Sequence, residues 1–542
     1  MRHRFIVVLL VLLFSLILSF FVLYTPQPIA GGDVQEFSAV NVAQTIEVIS
    51  REPHSVFDEE AHEEVRKYLK QELEALLGLA NVYEMNYTAE AVNEDYPVKN
   101  LIGSIPGESE TGLLLVGHYD SRGHIGRYGE LGRSYGAADD GYAIGTMLEI
   151  ARLYAGKNLK TSLYFLLTDA EEVGLLGAKQ AVLDANLMDK ISFVINVEAR
   201  GIKGPSYMFE TSPNNEKVID FYKHADLPVS YSLATAVYSV MPNYTDFTEF
   251  LKIGKTGINF AVLDNLYYYH TPLDNYTNIN LSSIQHYGSQ IVPLIDEFTS
   301  NDKYQDLNYF VGEQDQIFFT LLPNVLVTYK ENFAVVLHII LLVIFIGLFI
   351  YLILKKKITI LSFIKYLGID VGLLAVLGFI GFVISKIMAF FGKVPWSLTY
   401  VRMDNTELPT LIIILVIVVG LGFIYYSTIK KEETKWSFGL AGVFLNLLLA
   451  LLTGFVLSGA SFLFFIPAFW GTISLLSETF MKNKIIRCLI LSQNIIWNVL
   501  LLVPILYSLF LALTVGGLLA LLVILGINLT ITIPMFRRQL TI

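Results

Sequence analysis

Apolar residues along this chain follow two patterns. In the first, uncharged runs are long enough to cross a bilayer as a helix. Residues 5–24 (FIVVLLVLLFSLILSFFVLY) form one such run, and others recur near 333–354, 366–390, 409–427, 437–457, 460–480, 486–507 and 512–534. In the second, between about 33 and 325, apolar runs are short and separated by charged, turn-rich stretches. There LLLVG (113–117), SLYFLLT (162–168) and SFVINV (192–197) predict buried strands of a largely parallel sheet. DGYAIGTMLEIARLYAG (140–156) carries a helical pattern between the first two. The expected fold class is therefore α/β, a mixed, largely parallel sheet flanked by helices, fused to an all-α polytopic transmembrane bundle. The expected parts are a basic tip and anchor (1–30), an α/β domain (33–325) and a C-terminal membrane domain of about seven helices (332–542).

Composition agrees with this division. At 54% hydrophobic and 16% charged over 542 residues, the chain is too apolar for a wholly soluble protein. The lipid bilayer is thus an expected partner. QPIAGG after the first run is a poor small-x-small cleavage site, so the run reads as an uncleaved anchor rather than a signal peptide. Arg2, His3 and Arg4 before it place the N-terminus in the cytoplasm, and the α/β domain then lies outside or in a lumen. Lys355–Lys357, Lys430, Lys431, Lys482, Lys484, Arg487, Arg537 and Arg538 fall on the cytoplasmic side of an eight-span topology with both termini inside. A net charge of −11 argues against nucleic acid as a partner. The one cysteine, Cys488, lies in the membrane part, so no disulfide braces the α/β domain. Nothing in the pattern fixes an oligomeric state.

Candidate chemistry gathers at the strand ends, where open α/β sheets bind ligands. The first strand runs into His118 and Asp120, the second into Glu171 and Glu172, the third into Glu198. GAADDG (136–141) sets Asp139 and Asp140 at a helix start, and YYYHTPLDN supplies His270. Thr271, Pro272 and Asp274 fit N-cap, N1 and N3 of a helix following His270. Two histidines and several carboxylates of this kind suit two divalent ions of the zinc type. A cation pair would also explain adjacent glutamates at the end of a buried strand. One can bind metal while its neighbour holds the water.

HYD, GAADDG, EEVGLLG, NVEARG and YHTPLD, in that order, resemble the M28 family of di-zinc peptidases over roughly 40–300. Within it, the membrane-bound branch of vacuolar membrane proteases and endoplasmic reticulum metallopeptidases is the nearest likeness, and REPHSV (51–56) and PNYTDFTEF (242–250) extend it. The resemblance implies a zinc-peptidase-like fold and two zinc ions, with cobalt or manganese as other divalent choices. It implies His118 and Glu198 as terminal ligands of one metal, Glu172 and His270 of the other, and Asp139 as the bridge, with a cis Asp139–Asp140 bond. Glu171 matches the general base, Asp120 the partner behind His118, and Tyr269 the tyrosine that steadies the oxyanion, with Tyr244, Tyr267 and Tyr268 as rivals. Glu198 stands where many aminopeptidases of the family have Asp. The implied activity is hydrolysis of a peptide substrate by a membrane-anchored exopeptidase, an aminopeptidase in the nearest branch. A carboxypeptidase and a non-catalytic receptor or transport-associated protein remain alternatives. The loop SRGHIGRYGELGRSY (121–135) is longer than in relatives, and Arg122, His124, Arg127 and Arg133 in it could recognise a carboxylate or phosphate. In the membrane part, Asp370 is the leading polar candidate.

Overall fold

The computed structural model describes residues 2–123, 132–239, 243–398, 401–428 and 432–541. His124, Arg127, Pro242, Lys430 and Lys431 lie outside the described residues. The chain forms two compact units, one of Leu23–Thr328 and one combining Met1–Val22 with Tyr329–Ile542.

The first unit is built on one seven-stranded sheet. Its strands are β1 (Val82–Tyr87), β2 (Val98–Ile105), β3 (Ser109–His118), β4 (Thr161–Thr168), β5 (Ile191–Ala199), β6 (Lys203–Thr211) and β7 (Gly257–Asp264). They lie in the order β1-β2-β4-β3-β5-β7-β6. The four central strands, β4, β3, β5 and β7, are parallel. β1 and β2 extend one edge and β6 the other through antiparallel pairings. This is the mixed, largely parallel sheet that the sequence predicts.

Alternation along β3 explains why both faces are covered. Leu113 and Leu115 join a core with the helices Ala39–Ile49, Gly141–Tyr154 and Leu281–Ser300. Leu114 and Val116 point the other way, among Leu166, Ala178, Phe247 and Phe250. Successive side chains on a strand face opposite sides, so an unbroken apolar run requires two cores. β3 is also where the strand order reverses: the chain passes from it to β4 on one side, and β5 pairs on the other. The crevice beyond the carboxyl end of such a strand is the natural ligand position, and β3 ends on His118.

One expected element differs. No helix begins at Thr271; residues 271–275 form turns, a 3-10 turn spans Tyr276–Asn278, and the helix starts at Leu281, capped by Asn280. Two local facts explain the change. His270 has φ of 57°, a left-handed conformation that breaks the entry to a helix. Asp274, placed by the sequence at N3, turns its carboxylate away to backbone N–H groups at residues 138 and 139.

The second unit is helical. Its elements are Arg2–Phe21, Glu331–Leu354, Ile360–Gly392, Glu407–Thr428, Glu432–Val456, Phe462–Phe480, Lys484–Leu513 and Leu518–Thr541. Six described stretches are long and apolar enough to cross a membrane, the last being residues 484–535, which hold two successive helices. Helices are expected here, because hydrocarbon offers a backbone no other hydrogen-bond partners. The helix expected near 366–390 begins earlier, at Ile360, where Thr359 and Ser362 form a reciprocal capping box.

Candidate metal centre

Five chain segments, the fifth carrying His270 after β7, bring their side chains together beyond the carboxyl ends of β3, β4, β5 and β7. His118 is the last residue of β3, and Glu198 the penultimate residue of β5. Val116 pairs with Asn196, so His118 and Glu198 each lie two positions further on and share a face. Glu171 and Glu172 follow β4 after Ala170, whose φ of 57° turns the chain sharply. Asp139 and Asp140 precede the helix Gly141–Tyr154 and are joined by a cis peptide bond.

Two groups that could hold a metal ion result, and Asp139 belongs to both: His118, Asp139 and Glu198 form one, Asp139, Glu172 and His270 the other. All five residues are buried. Asp139 Oδ1 lies 3.4 Å from His118 Nε2, and its Oδ2 lies 3.1 Å from His270 Nε2. Glu198 Oε2 is 3.8 Å from His118 Nε2, and Glu172 Oε1 is 3.1 Å from His270 Nε2. Ligands about 2.05 Å from a tetrahedral zinc ion stand about 3.4 Å from one another. The separations therefore suit metal coordination. Asp139 Oδ2 and Glu172 Oε1 are buried acceptors that receive no hydrogen bond. Such atoms are costly unless a cation compensates them.

Charge crowding points the same way. Burial pushes the Glu171 carboxyl well above the usual carboxylate range, with repulsion from Glu198 and Glu172 adding to it and His118 opposing it. Burial raises Glu198 to about 8, again against the pull of His118. Asp140 is also raised by burial and by Glu198. Glu172 goes the other way: His270 and Arg122 outweigh its burial and hold it below the usual range. His118 is held well above its ordinary value, because Asp120 and Asp139 outweigh the effect of burial.

Backbone contacts hold the ligands in place. His118 Nδ1 lies 2.9 Å from the Asp120 carbonyl, closer than the 3.5 Å to the Asp120 carboxylate. The carboxylate of Asp120 instead accepts the backbone N–H groups of Glu171 (2.9 Å) and Glu172 (3.2 Å). Asp120 thus supports His118 through its main chain and both glutamates through its side chain. Asp140 Oδ2 accepts the His118 N–H at 3.2 Å; it fits there because residue 117 is glycine, where a Cβ would fall 3.1 Å from that oxygen and 2.6 Å from Ala143. Tyr269 stacks on His270 with centroids 3.6 Å apart, whereas Tyr244 is exposed.

Sequence reasoning missed three residues. Asp274 accepts the N–H groups of Ala138 (2.7 Å) and Asp139 (3.2 Å) and the Ser134 hydroxyl (3.0 Å), clamping the shared ligand's backbone. Burial raises it to about 7. Asp246, fully buried and raised to about 6 by burial, accepts the Thr168 hydroxyl at the end of β4. Asn196 donates to Glu198 Oε1 at 3.1 Å, a contact foreshadowed only by its place two residues before the ligand. Of the arginines in the long loop, Arg133 pairs with Asp58 at 2.8 Å and Arg122 with Glu172 at 2.9 Å, so both already meet protein carboxylates.

Residues 100–295 match the profile of Peptidase family M28. This chain carries an M28 peptidase domain. The chain is similar to the vacuolar membrane protease of Clavispora lusitaniae, 25% identical over 322 residues, which are 56% of this chain and 30% of that protein. It is also similar to endoplasmic reticulum metallopeptidase 1 of Mus musculus, 26% identical over 236 residues, 42% of this chain and 25% of that one. The matches thus span under a third of these relatives' length. Among solved structures, an aminopeptidase from Aneurinibacillus sp. strain AM-1 matches at 12% identity and TM-score 0.39, covering 49% of this chain and 95% of its own. A Tannerella forsythia glutaminyl cyclase matches at 21% identity and TM-score 0.40, covering 48% of this chain and 98% of its own.

Proposed function

We propose that this chain is a membrane-anchored, zinc-dependent exopeptidase, an aminopeptidase that hydrolyses peptides outside the cytoplasm. The anchor is residues 1–30, the peptidase domain 33–325 and the membrane domain 332–542. The observation that carries the reading is the position of Asp139, whose two oxygens each face a separate imidazole–carboxylate pair. That arrangement suits two metal ions sharing one carboxylate. His118, Asp139 and Glu198 would hold one, and Asp139, Glu172 and His270 the other. When bound, such a pair lowers the pKa of water and polarises a carbonyl.

The remaining roles belong to the side chains. Glu171 is the general base: its carboxyl takes the proton of the attacking water and returns it to the departing nitrogen. Burial raises its proton affinity, which suits a group that must both accept and release a proton. Asp120, by holding the N–H groups of both glutamates, fixes the backbone that carries Glu171 and Glu172. Tyr269, braced against His270, offers its hydroxyl to the developing oxyanion.

The test is a zinc count on the purified full-length chain, with peptides blocked at either end as substrates in the same preparation. Two zinc ions and cleavage stopped by an N-terminal block are expected. Cleavage stopped only by a C-terminal block would replace the aminopeptidase reading with a carboxypeptidase. No metal and no cleavage after zinc is restored would overturn the enzyme reading.

A further inference from the structure

Glu172 is fixed at three points. Its N–H is held by Asp120 Oδ2, while Arg122 Nη1 donates to its carbonyl oxygen (2.7 Å) and to its carboxylate Oε2 (2.9 Å). One carboxylate oxygen, Oε1, is left facing His270. The arginine is itself anchored. Its carbonyl accepts the Ser134 N–H at 2.9 Å. Beside it, the Ser121 hydroxyl accepts the His54 N–H at 2.9 Å. On its other side, Gly123 lies so close to Ser55 that a Cβ there would fall 2.3 Å from the hydroxyl oxygen.

Glu198 is held by the same plan with different chemistry. Its carbonyl accepts the Tyr287 hydroxyl at 2.5 Å, and its Oε1 accepts the neutral amide of Asn196 at 3.1 Å. Its Oε2 faces His118. Each terminal glutamate therefore has one oxygen occupied by the protein and one turned to the centre. The supports differ in charge: a guanidinium behind Glu172, an amide behind Glu198.

We propose that Arg122 is a positioning residue for the Glu172–His270 half of the centre, holding Glu172 to single-oxygen coordination of the metal there. This rests on the two-metal reading above. The bond to the backbone and the bond to the side chain come from one nitrogen, so Arg122 fixes the glutamate's side chain relative to its own main chain. Lysine can supply the charge and the donors, yet its tetrahedral, rotating ammonium does not fix the angle that the two coplanar N–H groups of one guanidinium nitrogen set. Substituting a group that orients a ligand costs about 10–100-fold in metal affinity.

The experiment uses the full-length chain in detergent, stripped of metal and titrated with zinc against a chromophoric chelator. The proteins compared are wild type, Arg122→Gln, Arg122→Lys and Asn196→Ala. Expected for Arg122→Gln is one zinc bound as in wild type and the second weakened about 10–100-fold. Arg122→Lys should fall between, and it keeps the test open if the glutamine variant fails to fold. Asn196→Ala should weaken the other zinc, so that Arg122→Gln combined with Asn196→Ala weakens both. Equal loss at both sites in Arg122→Gln, unchanged affinity, or tighter binding of the second zinc would each overturn the proposal. Wild-type protein that takes up fewer than two zinc ions would overturn the two-metal reading itself.

Discussion

Both units of this chain bury acids and amides, but they surround them differently. In the α/β unit, Asp139, Asp140, Glu171, Glu172 and Glu198 converge, and three of their buried oxygens receive no donor. In the helical unit, Asp370 accepts the Tyr425 hydroxyl at 2.6 Å across two helices. Asn446 donates to the Gly442 carbonyl of its own helix and to the Ile527 carbonyl of another, Asn498 donates to Asn494 one turn away, and Glu478 lies 3.8 Å from Arg487. Burial is common to both. What separates them is company: like charges crowd in one place and settle in pairs in the other. Convergent acids must take up protons or meet a cation, so they mark a candidate chemical site. Isolated bonds within and between packed helices form without any ligand. Asp370, singled out by its place in a span, thus has a local structural partner.

The contrast is broken most severely at Asp139. Asp139→Asn leaves the volume unchanged but removes the charge shared by both ligand groups. Zinc content should fall from two per chain to below one and peptide hydrolysis to background, more than the about 100-fold of a supporting residue. Elemental analysis beside an activity assay checks this. Retention of two metals would mean that Asp139 is not the ligand the two groups share.

Glu171→Gln sharpens the comparison within the cluster. Both metals should remain, while kcat falls by about 10²–10⁴-fold. A variant that lost metal along with turnover would make Glu171 a ligand instead of a base.

How far this centre was legible depends on distance along the chain. His118, Glu172 and Glu198 end apolar runs, and Asp139 sits in a short acidic turn, so local pattern exposes them. Asp274 and Arg122 act through contacts that no local pattern encodes. Asp274 bonds to a backbone 135 and 136 residues away, and the same TPLD that reads as a helix start is a turn because of that bond. Arg122 reads as a free anion-binding group until Glu172, 50 residues on, is seen to occupy it. The sheet shows a similar limit. β3, β4 and β5 each contain a continuous apolar run and were readable. β1 has an irregular buried–exposed pattern, and β6 contains Pro205 and a register shift, so edge strands left little periodic signal.

A smaller effect should appear in the pH dependence of stability. Asp274 and Glu210 are raised by burial to about 7, and Glu198 to about 8. These folded-state values exceed those of an unfolded carboxyl, so the native state binds more protons between roughly pH 4.5 and 8. Their contribution is fully present at low pH and is lost as pH rises through the folded values. The buried His54 and His286, lowered to about 4, oppose this only below about pH 6.5. The chelated protein should therefore lose stability from about pH 6.5 to 8, by about 1 kcal/mol per group. Zinc should flatten the trend, since a ligand such as Glu198 is then ionised throughout. Thermal unfolding with and without chelator checks it; a rise in stability of the chelated protein over this window would contradict the raising of these carboxyls by burial.

The smallest effect is expected where the acid is paired. Tyr425→Phe removes the hydroxyl from Asp370 but keeps the ring against Phe438, where the centroids lie 4.6 Å apart. Interhelical hydrogen bonds in membranes contribute about 0.6 kcal/mol on average, because the separated helices find other partners. Asp370 buried without its donor adds a cost, so about 1 kcal/mol is the expected loss. Metal content and hydrolysis should stay at wild-type levels. A loss of zinc or of turnover in this variant would show that the paired acid serves the chemistry after all, and the division between converging and paired acids would fail.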